Sequence, residues 1–288
     1  MPLVKILAPL TGGTRDAIVL ASAFAAAKPF NAHVVALFIR PDPTEAMPFF
    51  GEGVSGVVVQ EIVDVAKEAA DKAAEDAKAA LAIVAGEAGV TITSRIEKRD
   101  TPTVSFHDTQ GNFADQVTQS SRLSDLVVFG PLKEGDKPGI AEAFEAVLLE
   151  TGRPVLLTAQ IPSKEFARRV AIGWDGSTTS SHALTAALPY LEKADSIEIL
   201  NIKRGSEEAK SCDEACEYLK LRGLAPSVRM IDAGHRPVGE VLLEAAVQGG
   251  AGLLVLGGYG HSRLREFFVG GVTKHVVNRG EIPLFLVH

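Results

Sequence analysis

Two stretches of the chain match in character position by position: Ile6-Leu7-Ala8-Pro9-Leu10-Thr11-Gly12-Gly13 and Val170-Ala171-Ile172-Gly173-Trp174-Asp175-Gly176-Ser177. Each is an apolar run that breaks into a turn of small residues. An Ala-rich helical pattern follows each turn, over 14–27 and 178–191. Further apolar runs come next at 33–39 and 196–202, and then late in each half at 124–130 and 252–257. Each half closes on a helix and a proline-led strand, at 153–158 and 282–287. Glycine-bounded apolar runs that alternate with helical patterns indicate parallel strands covered on both faces. The α/β chain is therefore expected to form two tandem doubly wound parallel-sheet domains, at 1–160 and 168–288. The junction at 159–169 carries Pro162 and a charged run, as a linker does.

The bulk properties agree. At 288 residues the chain has room for two ordinary domains, and 46% hydrophobic with only 6% aromatic content suits Ala/Val/Ile/Leu-rich α/β packing. A formal charge of -7 argues against nucleic acid and anionic membranes as partners. No stretch approaches the roughly 20 apolar residues of a membrane span. The first residues enter a strand without the basic n-region of a signal peptide, so a cytoplasmic location is expected. Two cysteines, Cys212 and Cys216, provide no disulfide framework. They share a helix face at i, i+4, but no His or further Cys lies close in sequence to complete a metal site.

The halves differ mainly over 45–89. A Gly/Phe-rich stretch at 47–56 precedes a long Ala/Lys/Glu/Asp segment with helical periodicity over 57–86. This extra helix is expected to cap the first half or to pack across the second. The charges at 67–78 form a solvated face. His107 and Asp108 read as a short polar pair before a helix.

The chemistry concentrates at Gly257-Gly258-Tyr259-Gly260-His261-Ser262-Arg263-Leu264-Arg265-Glu266-Phe267-Phe268-Val269-Gly270-Gly271-Val272-Thr273. An apolar strand precedes this loop, and a helix is expected from about Val272. Strand, glycine loop and helix together present backbone N–H groups and a helix start to a phosphate. Arg263 or Arg265 could pair with phosphate oxygens. The alternative for the glycines is simple turning around a helix, and for the arginines a solvated loop.

At these residues the chain resembles the universal stress protein family in its tandem form. That family's nucleotide signature is Gly, two residues, Gly, nine residues, Gly, then Ser or Thr. Gly257, Gly260 and Gly270 fall in register with it. Asp175-Gly176-Ser177 matches the Asp-Gly-Ser turn that ends the family's first strand. The resemblance implies a five-stranded parallel sheet per domain, an adenine nucleotide hydrolase-like fold, and ATP across the carboxyl ends of the strands, with Mg²⁺ as an optional companion. Carried over position by position, the nucleotide site comprises Gly173, Trp174, Asp175, Ile202, Gly257, Gly260, His261, Arg263, Gly270, Gly271, Val272 and Thr273. Asp175 would accept from a ribose hydroxyl or help place a metal; otherwise it is a turn residue or a helix cap. Trp174 and Ile202 have plain core packing as their alternative. Gly271 departs from the signature, since it lacks the hydroxyl of the usual Ser or Thr. Thr273 could supply one.

The first half reads as a degenerate copy. Thr11 stands where the second half has Asp175, and Lys133 replaces the second glycine. Ala141 and Glu142 face Gly270 and Gly271, which places a carboxylate where phosphate would lie. No nucleotide is expected there. The leading functional expectation is a stress-response or regulatory protein that binds ATP in its C-terminal domain and has no dedicated catalytic residue. A non-nucleotide interaction scaffold and a weak ATPase or autophosphorylating protein are the alternatives. The final strands, 155–157 and 284–287, are expected to pair within the chain as a pseudo-dimer, which leaves room for a homodimer of chains.

Overall fold

The computed structural model describes residues 3–42, 56–97, 99–132, 139–161, 165–203, 211–258 and 280–288. The N-terminal half runs β1 (Lys5–Leu10), α1 (Asp16–Ala27), β2 (His33–Arg40), α2 (Gly56–Ala88), β3 (Thr91–Ile92), β4 (Thr103–Gln110), α3 (Phe113–Ser121), β5 (Leu126–Phe129), α4 (Ile140–Glu150) and β6 (Val155–Leu157). The C-terminal half runs β7 (Arg169–Gly173), α5 (Thr178–Leu191), β8 (Ser196–Lys203), α6 (Asp213–Leu221), β9 (Ser227–Asp232), α7 (Val238–Gln248), β10 (Leu253–Gly257) and β11 (Leu284–Val287).

Among the described residues eleven strands join one sheet in the order β3-β4-β2-β1-β5-β6-β11-β10-β7-β8-β9. Within each half every pairing is parallel. At the seam β6 and β11 run antiparallel, with Leu157 opposite Leu284 and Val155 opposite Leu286. The expected pairing of the two final strands is thus present. The two-residue β3 is an addition at the outer edge of the first half.

Side-chain alternation along the strands builds two cores, one on each face of the sheet. Ile6, Ala8 and Leu10 join Val34, Ala36 and Phe38 in one cluster, which also takes in side chains of α1, α2 and α5. Leu7, Val35, Leu37 and Ile39 join the other, with α3, α4 and α7. β2 and β5 read as uninterrupted apolar runs because they are buried on both sides.

α2 packs on the first half. Its buried positions Ala74, Ala77, Leu81, Val84 and Ala85 fall at helical spacing on one face. Small residues let it sit close to the sheet: Gly12 has φ +71°, and a Cβ there would overlap Ala73. Arg40, at the end of β2, ties the same helix down by bonding Asp108 of β4 and Asp71 of α2. His107 and Asp108 lie in β4, which leads through Gly111 and Asn112 into α3, so the pair precedes a helix as expected and does so from within a strand. The outer half of β4 is exposed on both sides, so its sequence carries polar residues where a central strand would not.

Candidate functional site

In each half the first strand, β1 or β7, has neighbours whose connections leave in opposite directions. A crevice opens at the carboxyl end of such a switch point, and open α/β sheets bind ligands there. In the C-terminal half this point lies between the ends of β7 and β10, beside the start of α5.

The turn after β7 is fixed by its own side chains. The Asp175 carboxylate accepts from the Ser177 backbone N–H at 2.9 Å, an Asx turn, and Gly176 takes φ +69°. Ser177 is the helix cap, with its Oγ accepting from the Ser180 N–H at 3.2 Å. Asp175, Gly176 and Thr178 are exposed at the carboxyl end of β7. The matching turn in the first half has Gly12 at φ +71°, so the repeated sequence produces a repeated backbone.

Gly257 ends β10 directly against the first turn of α5. A Cβ on it would fall 2.4 Å from the Thr179 carbonyl carbon and 2.5 Å from the Ser180 nitrogen. The glycine is required by this close approach of backbone to backbone. The chain continues along the β11 edge, with the Gly258 N–H donating to Val287 O at 2.6 Å. His288 Nδ1 lies 3.2 Å from Gly258 O, and His182 Nδ1 lies 3.2 Å from His288 O. The sequence reading did not single out these two histidines, and no motif marks them. Gly260, His261, Arg263, Gly270, Gly271, Val272 and Thr273 lie outside the described residues.

Of the remaining candidates, Trp174 is core: it is 7% exposed, and its Nε1–H donates to Ser211 O at 3.2 Å. Its backbone carbonyl accepts from the buried Asn201 amide at 3.1 Å, which holds the end of β7 against β8. Gly173 is shaped by packing as well, since a Cβ there would press on Leu256 and Leu242 side chains. Ile202 is half-buried and pairs in register with Ile231 of β9. Cys212 sits just ahead of α6 in the core, and burial, followed by the neighbouring Cys216, pushes its thiol pKa up. It packs with the core on that face of the sheet. Among the described residues no group of three His, Cys, Asp or Glu side chains is arranged to hold a metal ion.

The first half fills its equivalent turn from within. The Asp16 carboxylate, 2% exposed, accepts from Gly12 N–H at 2.7 Å, from Thr11 N–H at 3.0 Å and from the Thr11 hydroxyl at 3.2 Å. An internal anion therefore sits on the turn donors. Ser180 holds the corresponding position in the second half. Glu142, which sequence reading placed opposite the phosphate position, lies exposed in the first turn of α4. The carboxylate that occupies the turn is Asp16, and as an ordinary acidic residue in a helix first turn it gave no sequence signal.

Comparison with known proteins agrees with this architecture. Residues 167–288 match the sequence model of the universal stress protein family. The whole fold is similar to a universal stress protein from Archaeoglobus fulgidus DSM 4304, with TM-score 0.65 and 15% identity over 98% of this chain and 97% of that one. A putative universal stress protein from Pseudomonas aeruginosa UCBPP-PA14 gives TM-score 0.53 and 12% identity over 99% of this chain and 93% of that one. A functionally unknown protein from Pseudomonas aeruginosa PAO1 gives 0.55 and 10% over 99% and 92%. At these identities the likeness is one of fold. No curated protein matches the sequence. Among the described residues no helix is long and apolar enough to cross a membrane.

Proposed function

We propose that the chain, whose residues 167–288 match the universal stress protein family model, is a regulatory protein that binds an adenine nucleotide, ATP, in its C-terminal half. The observation that carries this reading is the topological switch point between β7 and β10, where a capped helix start and the exposed Asp175 turn stand beside Gly257, the first residue of the glycine-spaced segment in sequence. The exposed Asp175 carboxylate is suited to a ribose hydroxyl, and Gly260 and Gly270 would bring backbone N–H groups to the phosphates. Mg²⁺, if it enters, would come with the phosphates, with Asp175 as its nearest carboxylate. No described side chain stands as a dedicated base, so the output is a change of conformation or partner rather than turnover. The N-terminal half takes no nucleotide, because Asp16 already satisfies its turn.

Equilibrium dialysis of the full chain against ATP tests the reading. Binding of one ATP per chain is expected, with Asp175→Ala weakening it about 10- to 100-fold, the worth of one charge-assisted hydrogen bond. No binding at millimolar ATP would remove the nucleotide and leave an interaction scaffold as the reading.

A further inference from the structure

We propose that the N-terminal half holds a second ligand site of opposite preference: a crevice for a compact, uncharged, largely apolar molecule, closed to phosphates by Asp16. The crevice lies at the first half's own switch point, between the carboxyl ends of β1 and β5. A cavity of about 150 Å³ opens there. Its lining is mixed: Pro9 of β1, Val19 of α1, Phe113 of α3, Phe129 of β5 and Ile140 of α4 supply an apolar side, and Thr11, Thr14, Arg15 and Asp16 a polar one.

The cavity exists because the two halves pack differently at equivalent glycines. In the C-terminal half, the α5 backbone comes so near Gly257 that no Cβ would fit. In the N-terminal half, a Cβ on Gly130 would meet only the Val19 side chain at 3.5 Å and Arg15 side-chain carbons at 3.9 Å or beyond. The start of α1 stands farther from its strand, and the space between is what the cavity occupies. A volume of about 150 Å³ is of the size that accommodates a single benzene-sized ring.

The charges around it are engaged within the chain. Asp16 accepts from the donors of the Thr11–Gly12 turn, and Arg15 Nη1 donates to Pro131 O at 2.8 Å. A phosphate entering the crevice would meet the Asp16 carboxylate seated where its own oxygens would bond, and would lose its hydration against apolar walls. A neutral ring with one hydroxyl loses little water and gains the apolar walls, while its hydroxyl can reach Thr11 or Thr14.

The test uses the full chain with labelled Val and Ile methyl groups, followed by NMR during titration with benzyl alcohol and, separately, benzyl phosphate. Benzyl alcohol is expected to shift the Val19 and Ile140 methyl signals saturably, and benzyl phosphate to bind more than about tenfold more weakly. Val19→Phe is expected to fill the cavity and abolish the benzyl alcohol response at Ile140. Ile140→Phe, read at Val19, serves the same purpose from the rim should the first variant fail to fold. Asp16→Ser, which installs the residue of the C-terminal half, is expected to narrow the gap between the two probes. Equal or stronger binding of benzyl phosphate by the parent chain would overturn the proposal. So would the absence of a saturable benzyl alcohol response, or its survival in both filled variants. None of these readouts depends on ATP binding in the other half.

Discussion

Tyr190 offers a sharp test of how the two halves are joined. It belongs to α5 of the second half, is 1% exposed, and donates its hydroxyl to Ala26 O of α1 in the first half at 3.2 Å. Its ring meets Phe30, Phe166 and Phe285 edge-on at centroid distances of 5.1, 5.7 and 6.0 Å. Burial, with Asp125 as a lesser contributor, raises its pKa, so it stays a neutral donor throughout the working range. The residue thus joins α5 to α1 on the face of the sheet beneath which β6 and β11 pair.

Removing only the hydroxyl in Tyr190→Phe forfeits one neutral buried hydrogen bond, about 1 kcal/mol. Tyr190→Ala removes the ring as well. A large-to-small change at a fully buried aromatic costs about 3–5 kcal/mol, and three edge-to-face contacts at about 0.5–1.5 kcal/mol each place this site near the upper end. Urea unfolding followed by far-UV circular dichroism and by tryptophan fluorescence measures both. Trp174 is the only tryptophan and lies in the C-terminal half, whereas circular dichroism reports both halves. Because Tyr190 spans the seam, both probes are expected to move together in both variants. A loss below about 2 kcal/mol in Tyr190→Ala, or a shift of the fluorescence transition alone, would refute the argument that the seam is a shared core.

Two further outcomes follow from buried polar groups. Thr158, just past β6, is 2% exposed, and its hydroxyl has no hydrogen-bond partner; Thr158→Val keeps the shape and is expected to raise stability by about 1 kcal/mol in the same urea assay. His33 lies between the Thr103 and Ser105 hydroxyls at 2.8 and 2.9 Å, and burial, then His107 and Lys5, lowers its pKa. The unfolded chain therefore binds this proton more readily than the folded one, so stability is expected to fall as the pH drops below about 6.5, the ordinary histidine value. His33→Gln should flatten that part of the stability–pH curve; an unchanged slope would show that His33 does not carry it.

What could be read in the sequence followed from burial. β1, β2, β5 and β10 are apolar because they are covered on both faces, and that same coverage makes them visible as runs. β4 and β9 stand at or next to the sheet's outer edges, with much of their surface exposed. Their polar residues leave only a faint strand signal, which is why His107 and Asp108 read only as a polar pair ahead of a helix. The seam was legible because two proline-led strands closed two equivalent units. The reach of α2 was not, since periodicity gives a helix its apolar face but not the surface that face covers.

At the site the limit is of another kind. A glycine needed for close approach does not reveal what approaches it. Gly257 fits a phosphate loop, yet the group pressed against it here is the backbone of Thr179 and Ser180. Asp16 makes the complementary case. The turns at Gly12 and Gly176 share φ within a few degrees, so duplication preserved the cradle in both halves. The two turns satisfy their donors differently: Asp16 takes the Thr11 and Gly12 N–H groups in the first half, whereas Asp175 takes the Ser177 N–H in the second. In the first half the carboxylate is covalently part of the protein and always present, so no free anion can compete with it at ordinary concentration.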